Sequence, residues 1–541
     1  MKRKPIITLL FTLSLLWLGG SHALAQNKVN QLLKLKLVME SISNMYVDPV
    51  NQDSLVESAI TGMLSDLDPH STYTNPHETR LILEPLQGHF SGIGVRFVML
   101  SDTLNVIEVI KDGPSYKGGL KPGDKILKAN GVKISGDSVS TDSIMPVLKG
   151  PRGSKVDIEY MRAHASQPTS TTLIRDNITI NSIESHYIID NKYGYVRLGQ
   201  FAQNTASELA DVFKEFKSRH VKGIIIDLQY NGGGYLNAAI EMGAMFIGDN
   251  RDIVTVKNNR HPSISNSYKS KGNPTFDSSM PVVVMVNEFS ASASEIFAGA
   301  IQDWDRGVIV GRRTYGKGLV QRPIPLPDES MIRLTIARYY TPSGRCIQKQ
   351  YRKGNKKEYE EEILSRIKHG ELVSSDSIGF PDSLKYKTLI HDRVIYGGGG
   401  IMPDLFVPLD TTRYNKVATE LIMNNVITAV ALNHVSEVGR ARLLQEYPTM
   451  HQFYNYVIPE AIIRKTAVYG KEKIKEWDDK LFEQAIPVIT QRMRAELARD
   501  IYGSGAFYYV VNKEDPTYGA AIRLLENPSR YHNLLNPKQT K

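Results

Sequence analysis

Cysteine is almost absent from this chain, which has only Cys346 among its 541 residues. A single thiol can form neither an internal disulfide nor a zinc site built on paired cysteines, so packing alone must hold the fold together. The zinc-peptidase pattern HExxH is missing as well, which leaves a metallopeptidase of that kind without support. We therefore expect neither a metal nor any other cofactor.

Long apolar runs are also missing after the first 25 residues, where none approaches the roughly 20 residues that a membrane-spanning helix needs. The formal net charge is +9, but no motif for binding DNA or RNA concentrates this charge. We interpret it as an evenly solvated basic surface, and we expect no nucleic-acid partner.

The N-terminus has the pattern of a secretory signal. Residues 2–4 (KRK) are basic, residues 6–18 are apolar, and residues 23–25 (ALA) give a small-x-small cleavage site before Gln26. We predict that residues 1–25 are a signal peptide, so that the protein is exported to the periplasm or cell envelope. An uncleaved membrane anchor is the alternative, and the sequence does not decide between them.

The length predicts three or four domains. Residues 26–87 read as a helical N-terminal region, because leucines recur at helical spacing until residues 68–71 (DPHS) break the pattern. Residues 163–410 alternate strands with helices, which predicts an α/β core with a largely parallel sheet. A charged insertion covers about residues 353–385, and residues 411–541 are mostly helical, with no role that the sequence assigns.

Residues 88–162 consist of short strands and glycine turns, including the loop Gly92-Ile93-Gly94 before Val95 and the turn at residues 119–124 (GLKPGD). Successive glycines let backbone N–H groups converge on a carboxylate, and the next strand offers an edge to an extended peptide. This segment resembles a PDZ domain. The resemblance implies that Gly92, Ile93, Gly94 and Val95 bind the C-terminal tail of a protein substrate.

A candidate nucleophile lies in residues 287–297 (NEFSASASEIF), which follow the apolar strand predicted at Val282–Val286. The small residues lead directly into a predicted helix, whose N-terminal N–H groups and dipole can stabilise negative charge on a substrate oxygen. Serines also cap helices without any catalytic role, so this segment alone leaves both interpretations open.

A candidate base follows the strand predicted at Val308–Gly311, in residues 314–318 (TYGKG), with Gln321 further on. Lysine activates a hydroxyl only when it is neutral, which requires burial or nearby cations. Residues 311–317 also match the phosphate-loop spacing GxxxxGK. Gly318 replaces the required Ser or Thr, however, and residues 319–325 predict a strand where that loop needs a helix, so we reject this alternative.

Taken together, these motifs resemble those of the carboxyl-terminal processing peptidases, or tail-specific proteases. The resemblance extends from the helical N-terminal region to about Gln348, with a fainter match at residues 399–404. It implies a crotonase-like peptidase core, with Ser292 as nucleophile, Lys317 as general base and Gln321 orienting the lysine.

The resemblance also implies an oxyanion hole. One donor is the N–H of Ala293 and the other comes from the glycines of residues 227–234 (DLQYNGGG), where we favour Gly234 and then Gly233. Gln229 departs from the family, which often has arginine there, and this weakens any statement about how that strand end is braced.

The predicted protein is thus a multidomain α/β serine endopeptidase with a Ser–Lys dyad, which cleaves exported proteins recognised by their C-terminal tails. The alternative is a catalytically silent tail-binding protein or an envelope scaffold. The sequence leaves open a homo-oligomer, an activating partner and a peripheral association with the envelope.

Overall fold

The computed structural model describes residues 30–537, apart from 101, 137–138, 140 and 163–164, so the predicted signal peptide lies outside the described residues. The helices are α1 (30–45), α2 (Gln52–Ser65), α3 (Pro76–Gln87), α4 (Pro114–Lys117), α5 (Thr141–Leu148), α6 (Thr205–Ser218), α7 (Leu236–Ala244), α8 (Ala293–Asp303), α9 (Lys356–Glu360), α10 (Glu362–Lys368), α11 (Lys416–Met423), α12 (Val426–Val438), α13 (Arg440–Glu446), α14 (Met450–Phe453), α15 (Glu460–Lys473), α16 (Asp479–Tyr502), α17 (Ser504–Asn512), α18 (Pro516–Leu525) and α19 (Pro528–Leu535).

The strands are β1 (Thr72–Thr74), β2 (His89–Gly92), β3 (Val95–Leu100), β4 (Thr103–Val109), β5 (Lys125–Ala129), β6 (Val132–Lys133), β7 (Lys155–Met161), β8 (Thr169–Ile174), β9 (Asp176–Thr179), β10 (Ile183–Ile189), β11 (Tyr193–Leu198), β12 (Ile224–Asp227), β13 (Asp252–Lys257), β14 (Asn266–Lys269), β15 (Val282–Val286), β16 (Val308–Gly311), β17 (Leu319–Pro325), β18 (Met331–Tyr340), β19 (Lys385–Lys387), β20 (Val394–Tyr396) and β21 (Leu405–Phe406). No helix among the described residues has both the length and the apolar character needed to cross a bilayer.

The helical N-terminal region is tied to the rest of the protein by β1. Asn75 starts α3 with a capping box, in which its Oδ1 accepts the N–H of Glu78 and its own N–H donates to the Glu78 carboxylate. Just before this cap, β1 pairs antiparallel with β18, with Thr72 opposite Arg333. This region therefore contributes a strand to a sheet of the core.

The segment that resembles a PDZ domain forms its own small sheet. Strands β3, β4, β5, β7 and β8 are antiparallel neighbours in that order, and β6 pairs with β5. Residues that alternate along the strands, with Ile144 and Leu148 from α5, fill a separate apolar core. Strands β2 and β9 pair with each other and join this domain to the α/β core.

The central sheet has the order β10-β11-β12-β15-β16-β21, in which only β10 and β11 pair antiparallel. This confirms the predicted largely parallel sheet. Its central strands are continuous apolar runs because both faces are covered. Ile224, Ile226 and Val284 pack towards α6, α7 and α8, whereas Ile225 and Val283 pack towards the C-terminal helices. Residues after 411 thus cover the second face of the central sheet.

The charged insertion is partly helical, as predicted, but it is not merely a surface loop. Tyr359 and Arg366 are buried, and Arg366 donates to the backbone carbonyls of Thr314 and Tyr315, at 2.8 and 3.0 Å. The insertion therefore packs directly on the loop that carries Lys317.

The buried ion pair between Arg345 and Asp303 gives a test of core stability. Both side chains are 0% exposed and lie 2.8 Å apart. Arg345→Met should lower the free energy of unfolding by about 3–5 kcal/mol, because Asp303 would stay buried without its cation. Guanidinium unfolding measures this effect. Lys214→Met is the control, since its pair with Asp211 is exposed and should change stability by less than about 1 kcal/mol. Equal losses in the two variants would contradict the prediction.

Candidate active site

Ser292 lies in a strained turn between β15 and α8. It is the N-cap residue of α8, with φ 57° and ψ −113°, a conformation that non-glycine residues rarely adopt. Neighbouring bonds hold the turn in place: the Ala291 N–H donates to the Asn231 carbonyl at 3.0 Å, and Ser290 Oγ donates to the Leu228 carbonyl at 2.8 Å. The turn is thus fixed to the end of β12.

Glu295 joins the serine turn to the lysine loop. Its buried carboxylate accepts the N–H groups of Ser292 (2.9 Å), Gly316 (2.7 Å) and Lys317 (2.8 Å), and the Thr314 hydroxyl (2.6 Å). Burial raises the pKa of Glu295, while these four donors favour its charged form. Sequence reasoning gave Glu295 no role. The sequence signal that could have identified Glu295 is its position three residues after Ser292, which is the spacing of a capping box.

Lys317 lies between β16 and β17, largely removed from water. Its pKa is lowered from 10.5 to about 8, chiefly by burial and then by the nearby cation of Arg333, against the opposing effects of Glu295 and Asp68. A lysine with this pKa can give up its proton near neutrality. Among the described residues, no hydrogen bond links Lys317 Nζ to Ser292 Oγ, so the structure brings the two loops together without that contact.

Gln321 binds the turn between α2 and β1 in the helical N-terminal region. Its Nε2 donates to the His70 carbonyl, and His70 Nε2 lies 2.8 Å from the Tyr359 hydroxyl. Burial, reinforced by the nearby Lys317, lowers the pKa of His70 to about 3, so its ring is neutral. Sequence reasoning treated residues 68–71 only as a helix terminator, and it missed their position beside the lysine.

The two candidate glycines lie in different surroundings. Gly233 has φ +101°, and a Cβ there would lie 2.8 Å from Ser292 Cβ and 2.9 Å from the Ala293 nitrogen. A Cβ at Gly234 would instead lie 2.0 Å from the Phe201 carbonyl oxygen. The structure therefore places Gly233 against the serine turn, while Gly234 packs on Phe201. In this arrangement the Gly233 N–H donates to Asn231 Oδ1 at 2.8 Å.

The strand end before these glycines is braced from two sides. Gln229 Nε2 donates to the carboxylate of Asp515 at 2.8 Å, and Arg197 donates to Asp227 at 2.7 Å. Asp515 caps α18, so the C-terminal helices hold the segment that leads to Gly233.

The glycine loop of the small antiparallel domain is well defined. The Ile93 and Gly94 carbonyls accept N–H groups of Ser115 and Ile110, at 2.9 and 3.0 Å, and Gly94 has φ +75°. A Cβ at Gly92 would lie 2.9 Å from the Phe90 ring, so a larger residue there must displace its neighbours. Val95 follows as the first residue of β3.

Four family models match parts of this chain. The model of peptidase family S41 matches residues 192–358, and that of the PDZ domain matches residues 91–173. The model of the activating protease CtpB N-terminal domain matches residues 18–79, and a family of unknown function, DUF8443, matches residues 417–503.

The chain is 34% identical to a carboxy-terminal-processing protease of Bartonella bacilliformis over 60% of its length and 74% of the relative. It is 31% identical to the carboxy-terminal processing protease CtpA of Bacillus subtilis, over 62% of this chain and 72% of that one. A solved photosystem II D1 C-terminal processing protease is 29% identical, over 58% of this chain and 83% of that one, with a TM-score of 0.34. The protein belongs to the carboxy-terminal processing proteases, which are serine-type peptidases with a PDZ domain.

The lowered pKa of Lys317 can be measured directly. In NMR spectra of protein with ¹³C-labelled lysine, the Lys317 side chain should titrate with a midpoint near 8. Arg333→Met should move that midpoint upwards, because removing a neighbouring cation makes the charged lysine less unfavourable. Arg333→Lys keeps the cation and serves as the control, and the spectrum of Lys317→Met assigns the signal. A midpoint near 10.5 in the unmodified protein would contradict the burial described above.

Proposed function

We propose that the protein is an endopeptidase in which Ser292 is the nucleophile and Lys317 the general base. The observation that carries this proposal is the Glu295 carboxylate, which binds the backbone N–H groups of both residues. A helix cap needs only the bond to Ser292. The additional bonds to the lysine loop serve an arrangement in which the two residues act together.

In the proposed reaction, neutral Lys317 takes the proton of Ser292 Oγ as this oxygen attacks the substrate carbonyl. With a pKa of about 8, roughly a tenth of the Lys317 side chains are neutral at pH 7. The protonated lysine then gives its proton to the leaving amine, and water hydrolyses the acyl-enzyme. Gln321 acts as a positioning residue, since it holds the His70 turn beside the lysine.

The oxyanion of the tetrahedral intermediate needs donors beside Ser292. The N–H of Ala293 opens α8, where the helix dipole favours negative charge. The second donor comes from the adjacent glycine run. We expect Gly234 or Gly233 to supply it. Gly233 lies against Ser292, but its N–H donates to Asn231 Oδ1 and would have to leave that bond to bind the oxyanion.

We further propose that the substrates are exported proteins whose C-terminal tails bind the PDZ domain. The tail carboxylate would bind at Gly92, Ile93 and Gly94, and the tail backbone would extend the sheet beside Val95. The signal-like residues 1–25 support a periplasmic or envelope location.

Substitutions test the dyad. Ser292→Ala and Lys317→Ala should each abolish cleavage of an unfolded model protein with an apolar C-terminus, and the double variant should be no worse, because the two residues act as one unit. Lys317→Arg should also be inactive, since arginine stays protonated. Binding of a C-terminal peptide, measured by fluorescence anisotropy, should survive in all four variants and so serves as the control for folding.

Cleavage by Ser292→Ala at the unmodified rate would rule out the nucleophile, and an active Lys317→Arg would point to another base. If the unmodified protein binds tails and cleaves nothing, the protein is instead a tail-binding scaffold.

The charge of the substrate's C-terminus tests tail recognition. Amidation should lower tail affinity about ten- to a hundredfold, because a charge-assisted hydrogen bond contributes on the order of 1.5–3 kcal/mol. Gly92→Leu should have a similar effect on the free acid, since its side chain would meet the Phe90 ring. Matched free-acid and amidated substrates give the comparison, with kcat/KM as the measurement. Equal values for both in the unmodified enzyme would contradict tail recognition.

A further inference from the structure

Two exposed aromatic side chains lie at the carboxyl edge of the central sheet. Tyr230 follows β12 and Phe289 follows β15, and they are 61% and 45% exposed. Their rings stack, with centroids 5.4 Å apart and 17° between the planes. Large apolar groups that stay clustered in water next to an active site are typical of a binding surface.

This aromatic pair is held in place by its backbone. The side-chain oxygen of Asn287 accepts the N–H groups of both Tyr230 and Phe289, at 3.0 and 3.1 Å. Tyr230 has φ 64°, a conformation that suits glycine or asparagine better than tyrosine. A bulky aromatic residue in a strained conformation at a site of this kind indicates that its ring has a use beyond folding.

The aromatic pair also lies beside the reacting groups. Tyr230 is three residues before Gly233, and Phe289 is three residues before Ser292, in segments that hydrogen-bond to each other. On its other side, Tyr230 lines a cavity of about 360 Å³ between the sheet edge and the C-terminal helices, where Tyr508 and Val511 contribute apolar surface. Tyr230 therefore borders this cavity as well as the glycine run.

We propose that the Tyr230–Phe289 pair is a subsite for an apolar side chain of the substrate, close to the scissile bond. Leucine, methionine or phenylalanine would bury apolar surface against the exposed parts of the two rings, whereas a carboxylate or amide would lose more of its water in the same place. The proposal rests on the proposed peptidase function of Ser292, and it adds a selectivity that is independent of tail recognition.

The test uses cleavage sites mapped by mass spectrometry in an unfolded protein with an apolar C-terminal tail. A set of peptides then spans one major cleavage site and keeps the same C-terminal tail. In each pair of peptides, a single position near the cut carries either leucine or glutamine. At the position whose side chain binds the Tyr230–Phe289 pair, the unmodified enzyme should prefer leucine over glutamine by about tenfold in kcat/KM. Tyr230→Asn and Phe289→Ala should each reduce this ratio below about threefold, because each removes one ring. Tyr230→Phe keeps the ring and should preserve the ratio.

Two controls separate the subsite from other effects. Tyr469→Asn changes an exposed tyrosine of α15 and should leave the ratio unchanged. Asparagine tolerates the positive φ of Tyr230, so Tyr230→Asn should fold normally, and a melting temperature close to that of the unmodified protein would show that loss of selectivity does not result from unfolding. An unchanged leucine-to-glutamine ratio in both ring-removing variants would overturn the proposal. Ser292→Ala, assayed in parallel, reports only on the proposed nucleophile, because its outcome does not depend on which side chain the peptide carries.

Discussion

The arrangement of the candidate active site depends on one buried carboxylate. Within the part of the chain that the structure describes, Glu295 forms no salt bridge, and its carboxylate accepts three backbone N–H groups and one hydroxyl from two separate loops. Its burial makes each of these donors important, because an unsatisfied buried charge is costly. The strained turn of Ser292 and the glycine-rich loop of Lys317 are therefore positioned together. The same carboxylate also opposes the lowering of the Lys317 pKa, which burial and Arg333 still lower overall.

Three regions with no obvious catalytic motif surround this centre. The helical N-terminal region supplies β1 and the His70 turn, the charged insertion supplies Arg366 and Tyr359, and the C-terminal helices brace the end of β12 through Asp515. Each of these contacts involves residues close to Lys317 or to the glycines at 232–234. The peptidase core thus depends on its neighbours for the position of its reactive loops.

The order of the elements and the central sheet could be predicted because apolar strands such as Val282–Val286 alternate with amphipathic helices. The serine and lysine segments could be found because small residues and glycines follow those strands directly. The contacts of His70, Tyr359 and Asp515 could not be predicted, since each joins residues more than 250 positions apart and leaves no local periodicity. The stack of Tyr230 on Phe289 could not be predicted either, because the two residues are brought together only by the pairing of β12 with β15 in the sheet.

Because these contacts join residues that are far apart in the sequence, they can form only late in the synthesis of the chain. The Gln321 contact needs residue 70, and the Gln229 contact needs residue 515, which is near the end of the 541 residues. Because the C-terminal helices cover one whole face of the central sheet, that face stays unprotected until nearly all of the chain has been synthesised. A nascent or truncated chain would hold Ser292 and Lys317 without the framework that aligns them. The topology thereby delays the onset of proteolytic competence until the C-terminal helices have folded onto the central sheet.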